Sequence, residues 1–262
     1  QIAVANLMMN LKMNNSKTID ESMVRHMILN SIRMYRMEHH DEYGEVVLTW
    51  DSKHSWRRDY YPEYKASRRK GREESDLNWD DIFGTLNKIR NEIKENFPYK
   101  YLEVFGAEAD DIIGFLCEEN RDEKIMIISG DKDFIQLQKY PNVKQWSPIT
   151  KKDVNGFNPT TYLKEHILKG DTSDGVPNVL SPDNTFIDGL RQRPLSRKKI
   201  QSWLIGGGSD WNDEVKRNFQ RNSTLIDLSR TPEELKNQIR LEYKNAPHGD
   251  RSKLLNYFMK NK

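Results

Sequence analysis

The sequence predicts an α/β protein: a mostly parallel central sheet flanked by helices over residues 1–150, followed by a helical region over 151–262. Three observations lead there. Short apolar runs alternate with helical periodicity through the first 150 residues. Acidic residues stand directly after those runs. Beyond residue 150 the strand signal gives way to helical segments joined by loops that carry Pro or Gly.

Taken in order, residues 2–13 read as a helix. Thr18-Ile-Asp-Glu21 then supplies capping oxygens for a second helix, in which Met23, Met27, Ile28, Ile32, Met34 and Tyr35 form an apolar stripe expected to lie in the core. Glu45–Trp50 reads as a buried strand, and Asp51 follows it directly. Lys100–Phe105 is a second strand leading into a helix over 107–118. Lys124–Ser129 is a third, followed by Gly130-Asp-Lys-Asp133 and a short helix, and Val143–Trp146 is a fourth. Helices follow near 159–169, 197–205, 210–221, 232–243 and 251–260. Strand-helix alternation argues for parallel pairing, and ligands of such sheets gather beyond the carboxyl ends of the strands.

The composition agrees with a folded, strongly hydrated chain. Apolar residues make up 35% of the 262 and charged residues 31%, with a mean hydropathy of -0.89. Aromatic residues at 10% and recurrent apolar runs argue against disorder. The net charge of +2 conceals a segregation. Between Lys53 and Arg72 eight Lys and Arg stand against Asp59 and Glu63, whereas acids dominate from Glu103 to Asp133. A polyanion suits the first zone and a divalent cation the second. Cys117 is the only cysteine, which excludes an intrachain disulfide and a CxxC zinc site and points to a reducing cytoplasm. No apolar run approaches the roughly 20 residues of a membrane span, and no signal-peptide pattern opens the chain.

The chemistry concentrates in seven acids: Asp51, Glu108, Asp110, Asp131, Asp133, Asp171 and Asp174. Any one of them reads equally well as a helix cap. Together, at successive strand ends, they read as one metal site, because carboxylates gathered without a counter-charge repel one another and hard divalent ions prefer oxygen ligands. Two such ions activate a water and stabilise a leaving phosphodiester oxygen. Asp111 is a weaker candidate, since it lies about 100° of helix from Asp110.

The segment after Asp51 interleaves Arg57, Arg58, Lys65, Arg68, Arg69, Lys70 and Arg72 with Trp56, Tyr60, Tyr61 and Tyr64. Cations there neutralise phosphates and aromatic faces stack unpaired bases; the competing reading is a solvated face. Lys65 and Arg68, three apart, would share one helix face and reach a phosphate together. Arg191, Arg193, Arg197, Lys198 and Lys199 form a second basic cluster, which reads equally as a duplex-backbone contact or a solvated face.

Several stretches carry a resemblance: Ser22–Ser31, Trp56-Arg-Arg-Asp59, Arg72-Glu-Glu-Ser75, Glu108-Ala-Asp-Asp111, Ser129–Leu137, Lys139–Pro148 and Lys169-Gly-Asp-Thr-Ser-Asp174. With these motifs in this order, the sequence resembles the 5′-nuclease family of phage, bacterial polymerase-associated and eukaryotic flap nucleases. The likeness covers residues 1–175 well and the remainder loosely. It implies a PIN-like α/β catalytic domain with an arch near 52–80, and a helical C-terminal region carrying a degenerate helix-turn-helix variant. It also implies a cytoplasmic 5′→3′ exonuclease and flap endonuclease with ribonuclease H activity, which removes RNA primers and 5′ flaps in replication.

Residue by residue, the resemblance places Asp51, Glu108, Asp110 and Asp131 around one Mg²⁺, and Asp133, Asp171 and Asp174 around a second, with Mn²⁺ as a substitute. Lys65 and Arg68 would lie on the scissile phosphate, with Tyr64 in the arch. The implied partners are DNA and RNA–DNA hybrids (5′ flaps, nicked or forked duplexes), with a single-stranded-DNA-binding protein or a sliding clamp as protein partners, and no membrane.

Two departures stand beside it. The family has a further Asp at the end of an apolar strand before the helix that here opens at Gln1, so the chain reads as truncated; Asp20 follows that helix and is no substitute. After Asp174 the glycines expected of the helix-turn-helix variant are missing, which puts its K⁺ site in question. A non-catalytic or truncated nucleic-acid-binding relative, and a PIN-type ribonuclease, remain the alternatives.

Overall fold

The computed structural model describes Leu7 and residues 19–261, apart from the side chains of Arg69 and Lys70. The helix expected over 2–13 lies outside the described residues except for Leu7, which is buried.

The described helices are α1 (Glu21–Tyr43), α2 (Trp56–Tyr60), α3 (Ala66–Glu73), α4 (Trp79–Asn96), α5 (Ala109–Glu119), α6 (Pro159–Lys169), α7 (Arg197–Gly206), α8 (Asp213–Ile226), α9 (Glu233–Asn245) and α10 (Leu254–Lys260). The strands are β1 (Val47–Thr49), β2 (Lys100–Leu102), β3 (Ile125–Ile128), β4 (Val143–Ser147) and β5 (Lys152–Asp153). Each expected strand is present, most of them shorter than the apolar run that announced it. β1 pairs with β2 in parallel, with Leu48 opposite Tyr101. β3 pairs with β4 in parallel, with Ile127 opposite Gln145, and only the two-residue β5 runs antiparallel. The architecture is the mixed α/β arrangement with parallel pairing that the alternation predicts.

By packing, the chain divides into two compact units that interleave along the sequence. One comprises residues 1–50, 75–103 and 240–262. Its core is the seam between α1 and α4, where Val24 and Ile28 meet Ile82, Leu86, Ile89 and Ile93. α1 starts where the Asp20 side chain accepts the Met23 amide at 3.2 Å, one of the capping oxygens foreseen in Thr18–Glu21. Arg25 donates to Glu92 at 2.8 Å, and the Tyr257 hydroxyl donates to the same carboxylate at 2.8 Å.

Of the apolar stripe expected in the core, Ile28 is buried and Ile32 packs against the seam, whereas its methionines do not lie there. Met23, Met34 and Met37 are 38%, 50% and 68% exposed. At about 100° per residue they lie together on the side of α1 away from Val24 and Ile28, and the β-branched seam, not the thioethers, faces α4.

The second unit comprises residues 51–74 and 104–239 and contains all seven acids. Its core is built in patches. Phe134, Leu137, Tyr140 and Val143 pack with Cys117 and Leu228. Tyr61, Tyr64, Ile167 and Val176 pack with Leu225 and Ile226. The turn after α6 places two acids. Gly170 has φ 69°, and a Cβ there would overlap the Val176 and Pro177 carbonyls, so only glycine lets the chain fold back this closely. Asp171 and Val176 then exchange backbone hydrogen bonds at 2.8 and 2.7 Å. The loop that carries Asp171 and Asp174 is thereby closed at its base.

These packing assignments predict opposite outcomes for two apolar truncations. Ile89, fully buried, should cost about 2–5 kcal/mol on replacement by Ala. Met34→Ala should stay within about 0.5 kcal/mol. Urea unfolding of the two variants checks both; equal losses would return the methionines to the core.

Candidate metal centre

The start of α5 organises the centre. Asp111 is fully buried and its Oδ2 accepts the Glu108 amide at 2.9 Å, closing the first turn. The same oxygen accepts Arg57 Nη1 at 2.8 Å and Trp56 Nε1 at 3.2 Å, while Oδ1 accepts the Thr231 hydroxyl at 2.8 Å. Burial alone would push the Asp111 carboxyl up; the Arg57 guanidinium and these donors outweigh it and hold the carboxyl below the usual range. Arg57 is itself 2% exposed and donates Nε to the Leu225 carbonyl at 2.8 Å. This buried pair, with both Asp111 oxygens and Arg57 Nε and Nη1 engaged, fixes α5 against α2 and α8, and leaves Asp110, one residue earlier, to face the cleft. At the same terminus the Ala109 amide donates to Asp51 Oδ1 at 2.8 Å, where the helix dipole favours an anion.

Three side chains of the basic segment converge on the acids. The Tyr64 hydroxyl bridges Glu108 Oε2 at 2.9 Å and Asp174 Oδ2 at 2.8 Å. Lys65 Nζ lies 2.7 Å from Glu108 Oε1 and 3.6 Å from Asp174. Arg68 pairs with Asp174 Oδ1. Lys65 has φ 58°, a left-handed backbone that costs a non-glycine residue about 1–2 kcal/mol. It is held by its amide, which donates to the Asp174 carbonyl at 2.7 Å. The cations therefore converge for a reason other than a shared helix face, since α3 begins only at Ala66.

Glu108, Asp110, Asp133, Asp171 and Asp174 line one cleft with Tyr64. Burial, then Asp131 and Asp51, push the Asp110 carboxyl well above the ordinary range. Burial, with Asp131, Asp171 and Asp174 adding to it against His166, pushes Asp133 up to about 7. Burial also raises Asp174, although Lys65 and Arg68 oppose it. Asp171 is lowered in spite of its burial, because His166 and the Ser173 hydroxyl and amide stabilise its charge. Asp131 Oδ1 accepts the Asp133 amide at 3.0 Å, so it caps the 3₁₀ helix Lys132–Lys139 while standing among the acids.

His166, in the last turn of α6, completes the cluster. Its Nε2 lies 3.6 Å from Asp133 Oδ1 and 3.7 Å from Asp171 Oδ2. Those distances are too long for hydrogen bonds, and the nitrogen is buried without a hydrogen-bond partner. One ligand atom from each of Asp133, His166 and Asp171 lies within 4.8 Å of the others. Oxygen donors in excess, with an orphaned imidazole nitrogen among them, fit a divalent cation.

Residues 5–167 match the sequence family described as the 5′-3′ exonuclease N-terminal, resolvase-like domain. The chain belongs to the 5′→3′ exonuclease family. Ribonuclease H of Enterobacteria phage T4 is 34% identical, over 99% of this chain and 89% of that protein. A 5′-3′ exonuclease of Buchnera aphidicola subsp. Schizaphis graminum is 30% identical, over 52% of this chain and 48% of that one. Among solved structures, a bacteriophage T5 flap endonuclease in complex with DNA and metal ions shares the fold. Its TM-score is 0.62 at 17% identity, over 92% of this chain and 95% of that one. A second structure of the T5 5′-exonuclease, with zinc bound, has a TM-score of 0.61. The family is one of phosphodiester hydrolases, and this chain is a nuclease of it.

Within this 5′-nuclease, the basic segment divides differently from expectation. Arg57 and Tyr64 were expected on nucleic acid. Arg57 is sequestered with Asp111, and Tyr64, 3% exposed, has its hydroxyl on two site carboxylates. Arg57 and Arg58 are neighbours on one helix, so only one can point inward, and Arg58 is exposed. Arg72 is half-buried and has a partner; Arg69 and Lys70 lie on α3 with side chains outside the description. In the second cluster Arg191 and Lys198 are exposed, Arg193 holds the Leu180 carbonyl and Glu214, and Lys199 lies 4.8 Å from the Trp203 ring centre. His166 was missed altogether; its one signal was position, at the end of the helix that delivers Asp171. No described helix is long and apolar enough to cross a membrane.

The acid cluster sets a pH dependence. A carboxyl at about 7 in the fold and about 3.8 unfolded keeps its proton in the folded chain after the unfolded chain has lost it. Stability therefore falls as pH rises between those values. Asp110 and Asp174, also raised, act in the same direction, and so does His166, which burial lowers but Asp171 and Asp133 raise further. The lowered Asp111 and Asp171 lose their contribution only below about pH 4. In EDTA the melting temperature should be lower at pH 8 than at pH 5, and a divalent ion should narrow the gap. A metal-free protein equally stable at both would contradict the clustering.

Proposed function

We propose that this chain is a two-metal 5′→3′ exonuclease and flap endonuclease with ribonuclease H activity, acting on 5′ flaps and on the RNA of RNA–DNA hybrids, as in the removal of primers and displaced strands. The observation that carries this is the convergence of Lys65 and Arg68 on the cleft where Asp110 and Asp133 are each crowded by further acids. One ion belongs among Asp51, Glu108, Asp110 and Asp131, and the other among Asp133, Asp171 and Asp174. Mg²⁺ is the natural occupant of oxygen-rich positions and Mn²⁺ its substitute. When bound, the ions supply the charge that activates the attacking water and stabilises the leaving oxygen.

The protein's own side chains do the rest. Lys65 and Arg68 reach the scissile phosphate, leaving Glu108 and Asp174 to the cations. Tyr64 orients those two carboxylates from beneath. Arg58, Arg69, Lys70 and Arg72 take the phosphates of the 5′ strand, and Arg191, Arg193, Lys198 and Lys199 track the duplex. Catalytic roles thus fall to Asp51, Asp131, Lys65 and Arg68. The K⁺ site implied by a helix-turn-helix variant finds little room. Carbonyls of that turn are taken by side chains, Pro177 by Arg221 and Asn222 and Val179 by Asn218. Single-stranded-DNA-binding protein and sliding clamp remain candidate partners.

Cleavage of 5′-flap DNA and of an RNA–DNA hybrid in Mg²⁺, and its loss in EDTA, tests the reading. The double change Asp131→Asn with Asp133→Asn should lower the rate at least about a hundredfold, while flap binding stays salt-dependent. Cleavage that survives EDTA would overturn the two-metal reading. Tight binding without cleavage in Mg²⁺ would make the chain a non-catalytic relative.

A further inference from the structure

Accepting that two-metal reading, we infer that the second metal position in this chain is a mixed oxygen and nitrogen site, with His166 Nε2 as a direct ligand between Asp133 and Asp171. The acids of a 5′-nuclease account for oxygen donors; none of them accounts for a histidine aimed among them.

Three observations carry the inference. First, the Nε2 atom is buried with no hydrogen-bond partner, a state that is ordinarily destabilising. Secondly, it is flanked by Asp133 Oδ1 at 3.6 Å and Asp171 Oδ2 at 3.7 Å. Ligands of one ion, each held at about 2.1 Å, stand roughly 3.0–3.5 Å from one another, so these gaps are close to ligand spacing and outside hydrogen-bond range. Thirdly, the imidazole is built in. His166 sits in the last turn of α6, where its carbonyl accepts the Gly170 amide at 2.8 Å, and its ring packs beside Tyr162. The glycine turn then returns Asp171 to it.

The consequence is selectivity. An all-oxygen site favours Mg²⁺, whereas one imidazole shifts preference toward Mn²⁺ and later divalent ions. The two positions would then differ: the one among Asp51, Glu108, Asp110 and Asp131 is hard, and the one at His166 is softer.

Electron-spin-echo spectroscopy of the Mn²⁺-loaded protein reads this directly, because a coordinated ¹⁴N modulates the echo. The intact chain should bind two Mn²⁺ and show nitrogen modulation. His166→Gln should lose that modulation, and its Mn²⁺ affinity at one site should fall at least about tenfold, the least that losing even an outer-shell partner costs. Its Mg²⁺ affinity should fall less. Two bound Mn²⁺ without nitrogen modulation would overturn the assignment and leave the two-metal reading standing. Modulation that persists in His166→Gln would overturn it too. Failure to bind Mn²⁺ at all would remove both readings. The spectrum of the intact chain decides the matter even if the variant folds poorly.

Discussion

Several acids brought into one cleft repel one another, and most of the local structure answers that constraint. Burial first, and then the neighbouring acids, raise the carboxyls of Asp110 and Asp133. Neighbouring side chains contain the repulsion. Tyr64 ties Glu108 to Asp174, Lys65 and Arg68 supply positive charge, and His166 stands between Asp133 and Asp171. A cluster of this kind is a poor way to stabilise a fold. It is a suitable way to hold cations that arrive from solution, because the bound ion then relieves what the protein has stored.

Such a cluster needs a stiff support, and the Arg57–Asp111 pair provides it. Two adjacent acids at the start of α5 have opposite fates. Asp110 joins the cleft, while Asp111, 100° away on the helix, is consumed internally by Arg57, Thr231 and the Glu108 amide. Removing either member of so buried a pair strands the other charge, at about 3–5 kcal/mol. The support also passes through the basic segment: Arg57 is structural and Arg58 faces solvent, although composition alone makes them equivalent.

This divides what could be read in the chain from what could not. The strands, the acids behind them and the boundaries of α6 were legible, because they rest on local pattern: apolar runs, capping residues and a glycine after the last turn. The roles of Arg57, Tyr64 and His166 were not. Each depends on which way a side chain turns after the fold has closed, and contacts such as Arg57 to Leu225 span well over a hundred residues. The methionines of α1 misled for a related reason. Apolar spacing identifies a stripe that includes both Ile28 and the methionines, and only packing against α4, through Val24 and Ile28, decides which of its members are buried.

The arrangement also couples the two halves of the proposed chemistry. Lys65 pairs with Glu108 and Arg68 with Asp174, the same groups that the proposed function assigns to the phosphate and to the metals. A phosphate alone would have to draw Lys65 and Arg68 from partners that are charged and close. A cation alone would have to draw those carboxylates from the same two residues. In the proposed function the arrival of both would let each release what the other requires: the carboxylates would turn to the metal and the cations to the phosphate. On that proposal metal and substrate would favour each other's binding by a shared exchange of ion pairs, and by linkage the coupling would be the same in either direction. The left-handed backbone of Lys65, tied to Asp174 through its amide, holds the cation at the cleft.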